Sequence, residues 1–206
     1  MPSFFEVHLG RIGMKIDKVT LQGSRVILLP LGVQHIEPLY EALDDETIWT
    51  YLPGRMESYE DMSKLVAEAL DARQQGKELP FVVYDKETQK IVGMTRLLSI
   101  SEQHRSVEIG YTWYSASVWR TRVNTECKFL LLKYCFEELR TVRVQLKTDR
   151  RNARSNEAIA RIGAVLEGVL RKERILHDGY IRDSVYYSVI DDEWEAVKQR
   201  LIEKLQ

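Results

Sequence analysis

The pattern of hydrophobic and polar residues is clearest between residues 117 and 139, where the chain reads SVWRTRVNTECKFLLLKYCFEEL. Apolar residues recur there at intervals of three and four positions, the period of one buried helix face: Cys127, Leu130, Leu131, Tyr134 and Cys135. The pattern predicts a long helix over about residues 124–139. Both cysteines lie on this apolar face, eight positions apart, and are expected to be reduced core residues rather than a disulfide.

Shorter patterns predict the remaining elements. Runs rich in β-branched and aromatic residues predict strands at 25–31, within 80–98 (two strands), 106–115, 142–149, 165–176 and 180–190. Amphipathic runs predict helices at 35–43, 60–75, 152–162 and 192–204. Gly163 is expected to end the third of these helices, and Asp178-Gly179 to form a tight hairpin turn. Residues 1–23 are irregular and are interpreted as an N-terminal arm or hairpin.

The order of these elements is β-α-α-β-β-β-α-β-α-β-β-α. The helical connection over residues 115–140 should make its flanking strands parallel, whereas the short connections elsewhere favour antiparallel pairs. The predicted class is therefore α/β (α+β): a mixed, mostly antiparallel sheet of about seven strands with helices on both faces. No linker or repeat interrupts the sequence, so residues 1–206 are interpreted as one domain.

Composition excludes several classes of protein. Thirty basic and 31 acidic residues give a formal net charge of −1, which argues against a dedicated nucleic-acid-binding protein. No stretch has the roughly 18 apolar residues of a membrane helix, and the first residues lack the apolar core of a signal peptide. The four histidines show no metal-ligand spacing, so no metal is expected. The prediction is a cytoplasmic globular protein.

Two cations precede the long helix at an unusual place. Arg120 and Arg122 lie beside the positive end of the helix dipole, where a cation is unfavourable by roughly 0.3–1 kcal/mol. The first backbone N–H groups of the helix, from about Arg122 to Thr125, also need acceptors. A phosphate would satisfy both requirements. Pairing of exposed arginines with nearby carboxylates is the alternative.

At this point the sequence resembles a family. The runs SVEIGYTWYS, TECKFLLLKYCFEEL, VRVQLKTD, NARSNEAIARIGA, EGVLRK and DGYIRDSVYYSVIDDEW are similar to those of the GNAT acyl-CoA N-acetyltransferases, in particular the branch with the ribosomal-protein N-terminal acetyltransferases. The resemblance covers residues 25–194 and is densest over 107–194. It implies N-acetyl transfer, with acetyl-CoA as the co-substrate.

The resemblance also implies where the coenzyme binds. In the family a Gln/Arg-x-x-Gly-x-Gly/Ala loop holds the pyrophosphate on backbone amides, and the matching positions here carry Trp119, Arg122 and Asn124, none of which is the usual residue. The implied coenzyme-binding residues are Trp119, Arg120, Thr121, Arg122, Val123, Asn124 and Thr125, together with Asn152 and Ser155 of an Asn-x-x-Ser motif. Asn152 is equally a good N-cap, and for Ser155 a place in the first helical turn is the preferred interpretation.

Acetyl transfer from a thioester to an amine needs a base for the ammonium proton, a polarised carbonyl and an acid for the leaving thiolate. Alternation in SVEIGYTWYS places Glu108 and Tyr114 on one polar strand face. Glu108 is the candidate base, with a buried ion pair to Arg96 or Arg105 as its alternative role. A backbone N–H near Tyr114 is the expected polariser, and the Tyr114 hydroxyl the candidate acid.

The acceptor is the least determined part of the prediction. A cluster of acidic residues near Trp49 and Tyr51 suits a cationic amine or is simply solvated surface: Asp44, Asp45, Glu46, Glu57, Glu60 and Asp61. A protein N-terminus and a small-molecule amine both remain open. A non-catalytic coenzyme-binding or structural module is the alternative function, and an RNA-associated domain using the basic residues between 140 and 154 is a third. The strand around Val185 leaves room for a homodimer.

Overall fold

A computed structural model describes Met14 and residues 16–206, and it contains one eight-stranded sheet. The strands are β1 (Leu21–Gln22), β2 (Val26–Pro30), β3 (Leu79–Asp85), β4 (Lys90–Ser101), β5 (Ser106–Tyr114), β6 (Arg143–Asp149), β7 (Val165–Ile175) and β8 (Ile181–Ile190). The helices are α1 (Ile36–Glu41), α2 (Tyr59–Gln74), α3 (Val123–Lys133), α4 (Ala153–Arg161) and α5 (Trp194–Leu205). The strands lie in the order β1-β2-β3-β4-β5-β6-β8-β7.

Strand directions confirm the predicted class. Each pair of neighbouring strands is antiparallel except β5 and β6, which are parallel and are connected through α3. A parallel pair needs a long crossover, and the helix supplies it. The mixed α/β sheet with helices on both faces is therefore as the sequence predicts.

Each face of the sheet has its own helices and its own apolar core. We call the side covered by α1 and α2 the α2 face, where Leu39 and Met62 pack with Val82 and Met94 of the sheet. We call the other side the α3 face, where α3, α4 and α5 bury a larger cluster against the strands. Both cysteines lie in that cluster as free thiols, as predicted.

Two elements differ from the prediction. The sheet has eight strands rather than about seven, because Leu21–Gln22 forms a short hairpin with β2. Residues 1–13 and 15 of the predicted arm lie outside the described residues. The long helix is regular only to Lys133, and a wider helical turn over Tyr134–Glu138 completes it. There the N–H of Leu139 donates to the carbonyl of Tyr134 at 3.0 Å, five residues back.

The predicted ends of α4 and the predicted hairpin turn are confirmed. Asn152 caps α4 by accepting from the N–H of Ser155 at 3.0 Å. Gly163 follows that helix with a φ of +100°, and Gly179 has a φ of +83° in the turn between β7 and β8. These left-handed conformations favour glycine. Among the described helices none is long and apolar enough to cross a membrane.

Candidate active site

The two parallel strands separate along their length and open a fork in the sheet. Their register runs only to the pair Ile109–Leu146, after which β5 stays with β4 and β6 stays with β8. The N–H of Ser115 donates to Val92 of β4 at 2.8 Å, so Ser115 faces β4. Because backbone groups alternate sides along a strand, the N–H and C=O of Tyr114 point into the fork.

A β-bulge in β5 lies beside this fork. Met94 and Arg96 of β4 are opposite Trp113 and Gly110, so β5 has one residue more than its partner between the two pairs. Tyr111, inside the bulge, has a φ of +47°, an uncommon conformation for a residue with a side chain. Because of the extra residue, each side chain after the bulge points to the opposite face of the sheet from the one that regular alternation would give it.

This exchange corrects the predicted role of Tyr114. Its ring packs with the core of the α3 face, whereas Glu108, before the bulge, lies with the polar residues of the α2 face. The hydroxyl is buried beside Cys127, with no hydrogen-bond partner among the described residues. Burial raises the pKa of Tyr114 well above its usual value. The side chain therefore cannot serve as the acid in an open cleft.

Glu108 is almost fully buried, with 4% of its side chain exposed. Its carboxylate accepts a hydrogen bond from Gln145 Nε2 at 2.8 Å and lies 3.5 Å from Lys147 Nζ. Both partners come from β6, the strand across the fork. A buried carboxylate is tolerable in this form because it is paired with a cation and hydrogen-bonded.

The ion-pair partners predicted for Glu108 are wrong. Arg96 donates instead to Glu78 at 3.0 Å and lies 4.4 Å from the ring centroid of Tyr111. Arg105 donates to the carbonyl of Arg140 at 2.7 Å. The sequence predicted the parallel pair of β5 and β6 but not that Lys147 of β6 would be the cation beside Glu108.

A second carboxylate, missed by the sequence analysis, belongs to the same group. Lys147 Nζ is also 3.6 Å from Glu173 of β7, and Glu173 accepts from Ser184 Oγ at 2.9 Å and from the Tyr186 hydroxyl at 3.3 Å. Burial tends to raise the pKa of Glu173, but its hydrogen bonds and the nearby cations lower it overall. We call this group the ionic row: Glu108, Gln145, Lys147, Glu173, Ser184 and Tyr186.

The signal for Glu173 was present but weak. It is the single acidic residue in the otherwise basic run Arg171-Lys172-Glu173-Arg174. A β-bulge in β7 between Leu170 and Arg174 turns Glu173 towards Ser184. Irregular strand pairing of this kind is not visible in the alternation of side chains.

Helix α3 begins close to the fork. Its first intrahelical bond runs from the N–H of Glu126 to Arg122 at 2.9 Å, so the N–H groups before Glu126 lack helical acceptors. One of them, on Val123, donates to Thr121 Oγ1 at 3.3 Å. The amides of Asn124 and Thr125 complete the first turn. Free amides at a helix start are suited to binding an anion, and the predicted phosphate site at this place stays a prediction.

Arg122 has a structural partner that the prediction did not include. Its Nη1 donates to the carbonyl of Leu205 at 2.8 Å, at the C-terminal end of α5, where the helix dipole favours a cation. Its backbone φ of −72° is ordinary, so glycine is not required at this position. Arg120 is exposed, with a left-handed φ of +61°. Both arginines stay predicted phosphate ligands, and Arg122 has its contact with α5 in addition.

Trp119 and Arg154 lie together beside the fork. Trp119 Nε1 donates to the fork-facing carbonyl of Tyr114 at 2.9 Å. The guanidinium of Arg154, from the first turn of α4, lies 3.8 Å from the centroid of the Trp119 ring. The loop before α3 and the start of α4, where Asn152 and Ser155 lie, are therefore joined by a cation–π contact.

A cavity of about 350 Å³ opens on the α2 face beside the bulge. Its lining includes the aromatic rings of Trp49, Tyr111 and Trp113, two carboxylates and two cations: Asp61, Glu68, Arg55 and Lys64. Because the cations balance the carboxylates, the aromatic rings are the part of the lining that suits a cationic ligand. The cavity lies next to the bulged part of β5, since Tyr111 and Trp113 are among its lining residues.

Most of the predicted acidic cluster has local structural roles instead. Asp44 accepts from the N–H groups of Ala116 and Ser117 at 2.7 and 3.2 Å, and so holds the turn after β5. Asp45 accepts from the N–H of Thr47 at 2.8 Å. Glu46 and Glu57 pair with Arg55, and Glu60 with Lys64. Of the six predicted acids, only Asp61 lines the cavity.

The predicted basic patch is also divided among partners. Arg143 donates to Glu167, Lys147 lies between two carboxylates, and Arg151 donates to Asp149 at 2.7 Å. Binding of a nucleic-acid backbone needs cations that are free to meet phosphates. These contacts weaken the interpretation as an RNA-associated domain.

The site has the parts that a nucleotide-bearing acyl donor requires. The free first-turn amides of α3 can bind phosphates, and the fork can admit a narrow extended group that meets the N–H of Tyr114. The arginine at position 122 turns its side chain to α5 rather than across those amides. On these grounds the residues present fit a coenzyme A thioester.

Comparison with known proteins agrees with this geometry. The model of the acetyltransferase (GNAT) domain family matches residues 25–165, more than half of the chain. The ribosomal-protein-serine acetyltransferase of Escherichia coli (strain K12) is 26% identical over 165 residues, covering 77% of this chain and 89% of that protein.

Solved structures show the same fold. A GCN5-related N-acetyltransferase from Brucella melitensis superposes with a TM-score of 0.86 at 28% identity, covering 93% of this chain and 87% of that one. An acetyltransferase structure from T. thermophilus gives 0.84 at 32% identity, covering 93% and 100%. The chain belongs to the GNAT acetyltransferase family and is an acyl-CoA N-acetyltransferase.

Proposed function

We propose that the protein transfers an acetyl group from acetyl-CoA to the α-amine at the N-terminus of a protein. The fork between β5 and β6 carries the proposal, because it brings a free backbone N–H of Tyr114, the start of α3 and the ionic row to one place. Acetyl-CoA supplies the activated acyl group. The residues of the chain bind and orient the substrates and remove protons.

Binding of the pyrophosphate is assigned to the amides of Asn124 and Thr125, with the side chain of Arg120 able to approach from the loop. Trp119 and Asn152 flank the remainder of the coenzyme in this proposal, and Thr121, Arg122, Val123 and Ser155 shape the site without a direct charge contact. The N–H of Tyr114 is placed to donate to the acetyl carbonyl and stabilise the negative charge that develops on its oxygen.

Removal of the proton from the attacking ammonium is assigned to Glu108, directly or through water. The carboxylate is buried on the face that carries the cavity, and Lys147 Nζ lies 3.5 Å from it. Glu173 belongs to the same ionic row and shares Lys147 with Glu108. Such general-base assistance typically contributes about 10²–10⁴-fold to the rate.

The acceptor class rests on a relative and on the cavity. The Escherichia coli relative is named for a ribosomal protein as its substrate, which favours a protein acceptor here. The cavity beside Tyr111 and Trp113 has space for the first side chain of a polypeptide, and its aromatic rings suit a cationic end. A small-molecule amine is the competing acceptor.

A thermal unfolding experiment with and without acetyl-CoA tests the donor. Saturation at about 100 times the Kd adds about 2.7 kcal/mol to the free energy of unfolding, a rise of several degrees in Tm. The acceptor is then tested by thiol release with two peptides of one sequence, with free and formylated N-termini. Turnover with only the free peptide supports the proposal, and equal turnover through an internal lysine contradicts it.

A homodimer is proposed through the edge strand β7. Val185 and Tyr187 lie in the strand for which a dimer was predicted, but their side chains are buried in the protein core. Val165, Leu166 and Leu170 of β7, by contrast, are half exposed or more. An open strand edge with apolar side chains is a surface that proteins normally cover. Sedimentation of Leu170→Lys beside the unchanged protein tests this proposal.

A further inference from the structure

Helix α3 carries a cation inside the core. Lys128 is only 6% exposed, and its Nζ donates to Thr112 Oγ1 of β5 at 2.9 Å. In the part of the chain that the structure describes, no carboxylate forms an ion pair with it. A buried ammonium group without an anion is costly. An apolar side chain would fill this position of the helix at lower cost.

The hydroxyl that Lys128 holds belongs to the bulge. Thr112 follows Tyr111 there, and its Oγ1 lies 2.8 Å from Thr95 Oγ1 of β4 and 3.5 Å from the carbonyl of Gly110. The ammonium group therefore connects α3 to both strands at the irregular point. The left-handed backbone of Tyr111 is a second local cost at the same place.

Both unfavourable features coincide where β5 leaves β6. Backbone strain and buried charges persist when the surroundings enforce them, and they are concentrated at functional sites. The bulge determines which way Tyr114 directs its N–H, two residues further on. A group that fixes Thr112 therefore fixes the amide that faces the fork.

We propose that Lys128 is a positioning residue for acetyl transfer, whose ammonium group holds Thr112 and with it the bulge that presents the Tyr114 amide to the acetyl carbonyl. This inference rests on the proposed function. Lys128 does not touch the acyl group itself; it acts through Thr112 and the backbone of β5.

The role has a pH signature. Burial lowers the pKa of Lys128 to about 8. The titratable group that acts on Lys128 is Cys127 of its own helix, and Cys127 in turn lies beside Tyr114 of β5. Burial raises the pKa of Cys127 to about 12 and that of Tyr114 well above normal, so both are neutral at that pH. Glu126, the adjacent carboxylate, is bound to the amides of Ser24 and Arg25.

Loss of the ammonium proton above pH about 8 should therefore lower activity. Deprotonation of the acceptor amine acts in the opposite direction, because only the neutral amine attacks. We therefore expect a plot of kcat against pH to have a falling limb on its alkaline side.

The first test compares Lys128→Met, Lys128→Arg and Thr112→Val by thiol release with the free N-terminal peptide. We expect kcat to fall about tenfold or more in the methionine and valine variants, with the KM for acetyl-CoA changed less than about threefold. The arginine variant should retain activity and lose the falling limb, since arginine stays charged. A falling limb that is unchanged in the methionine variant would overturn the proposal.

The second test needs no acceptor. Calorimetry gives the Kd of acetyl-CoA and of CoA for the unchanged protein and for Lys128→Met. We expect any preference for the acetylated form to disappear in the variant while the Kd of CoA stays within about threefold. If the unchanged protein binds neither ligand, the proposed function fails and this inference with it. If the preference persists in the variant, only this inference fails.

Discussion

The α2 face of the sheet is built in two ways. Across β3 and β4 it is apolar, and α1 and α2 pack on residues such as Val82 and Met94, both fully buried. Across β5–β8 the same face carries the ionic row, in which Lys147 lies between Glu108 and Glu173. One continuous sheet thus supports a hydrophobic core at one end and a buried polar network at the other.

The difference indicates that the apolar half contributes more to stability, and in the proposed function the ionic half carries the chemistry. Apolar burial is non-directional and tolerates adjustment, while a buried ion pair fixes the orientation of each carboxylate but contributes little net stability. A mutation in the first half should therefore change stability more than activity, and a mutation in the second half should do the reverse.

The largest expected effect is on the apolar half. Met94→Ala removes a fully buried side chain and leaves a cavity, which should reduce the free energy of unfolding by about 2–5 kcal/mol. Urea unfolding measures the loss, and Val33→Ala, at an exposed position, is the control. Activity at low temperature should remain close to normal. A loss below the control's would contradict the assignment of stability to this half.

Glu108→Gln tests the ionic half. Thiol release should fall about 100-fold in kcat, because glutamine cannot accept the proton, with Tm changed by only a few degrees. Glu102→Gln, at an exposed position before β5, serves as the matched control. Full activity of the Glu108 variant would remove the base from the proposed mechanism and favour a module without catalysis.

Acid should destabilise the far end of the ionic half. Burial tends to raise the pKa of Asp149, but hydrogen bonds from Arg151 lower it overall. A carboxyl group with a lowered folded pKa stabilises the protein above its unfolded pKa, about 4, and this stability is lost as the pH falls. We expect Asp149→Asn to cost about 1 kcal/mol at pH 7 and to show a weaker decline in acid than the protein with Asp192→Asn.

The smallest expected effect belongs to Arg122. Its guanidinium is bonded to the carbonyl of Leu205, so Arg122→Ala should raise the Kd of acetyl-CoA by less than about threefold. Arg120→Ala should raise it more, because that side chain is exposed beside the free amides of α3. Calorimetry of the two variants distinguishes them, and the reverse order would show that Arg122 leaves α5 when ligand binds.

The sequence predicted the fold well because each element carries its own signal. The apolar period over 127–135 identified α3, and the length of that connection implied the parallel pair. Asn152 and Gly163 marked the ends of α4 correctly. These signals are local, so no knowledge of the remaining chain was needed.

The site was predicted less well because it depends on contacts between distant residues. Glu108 was identified from its polar surroundings, but its partner Lys147 comes from another strand. Arg122 was assigned to an anion because Leu205 is 83 positions away. Tyr114 was assigned to the wrong face because alternation assumes a regular strand. The coenzyme-binding residues stay predictions.

The bulge at Tyr111 has a consequence for homologous chains. In a relative that lacks the extra residue, the residue at position 113 would face α3 and the residue at position 114 would face the acceptor cavity. An alignment that matches side-chain types would not reveal this difference. The role of a residue that follows the bulge can therefore be transferred only between family members that both have the extra residue. A one-residue deletion in β5 would change which aromatic ring the acceptor meets, without any substitution.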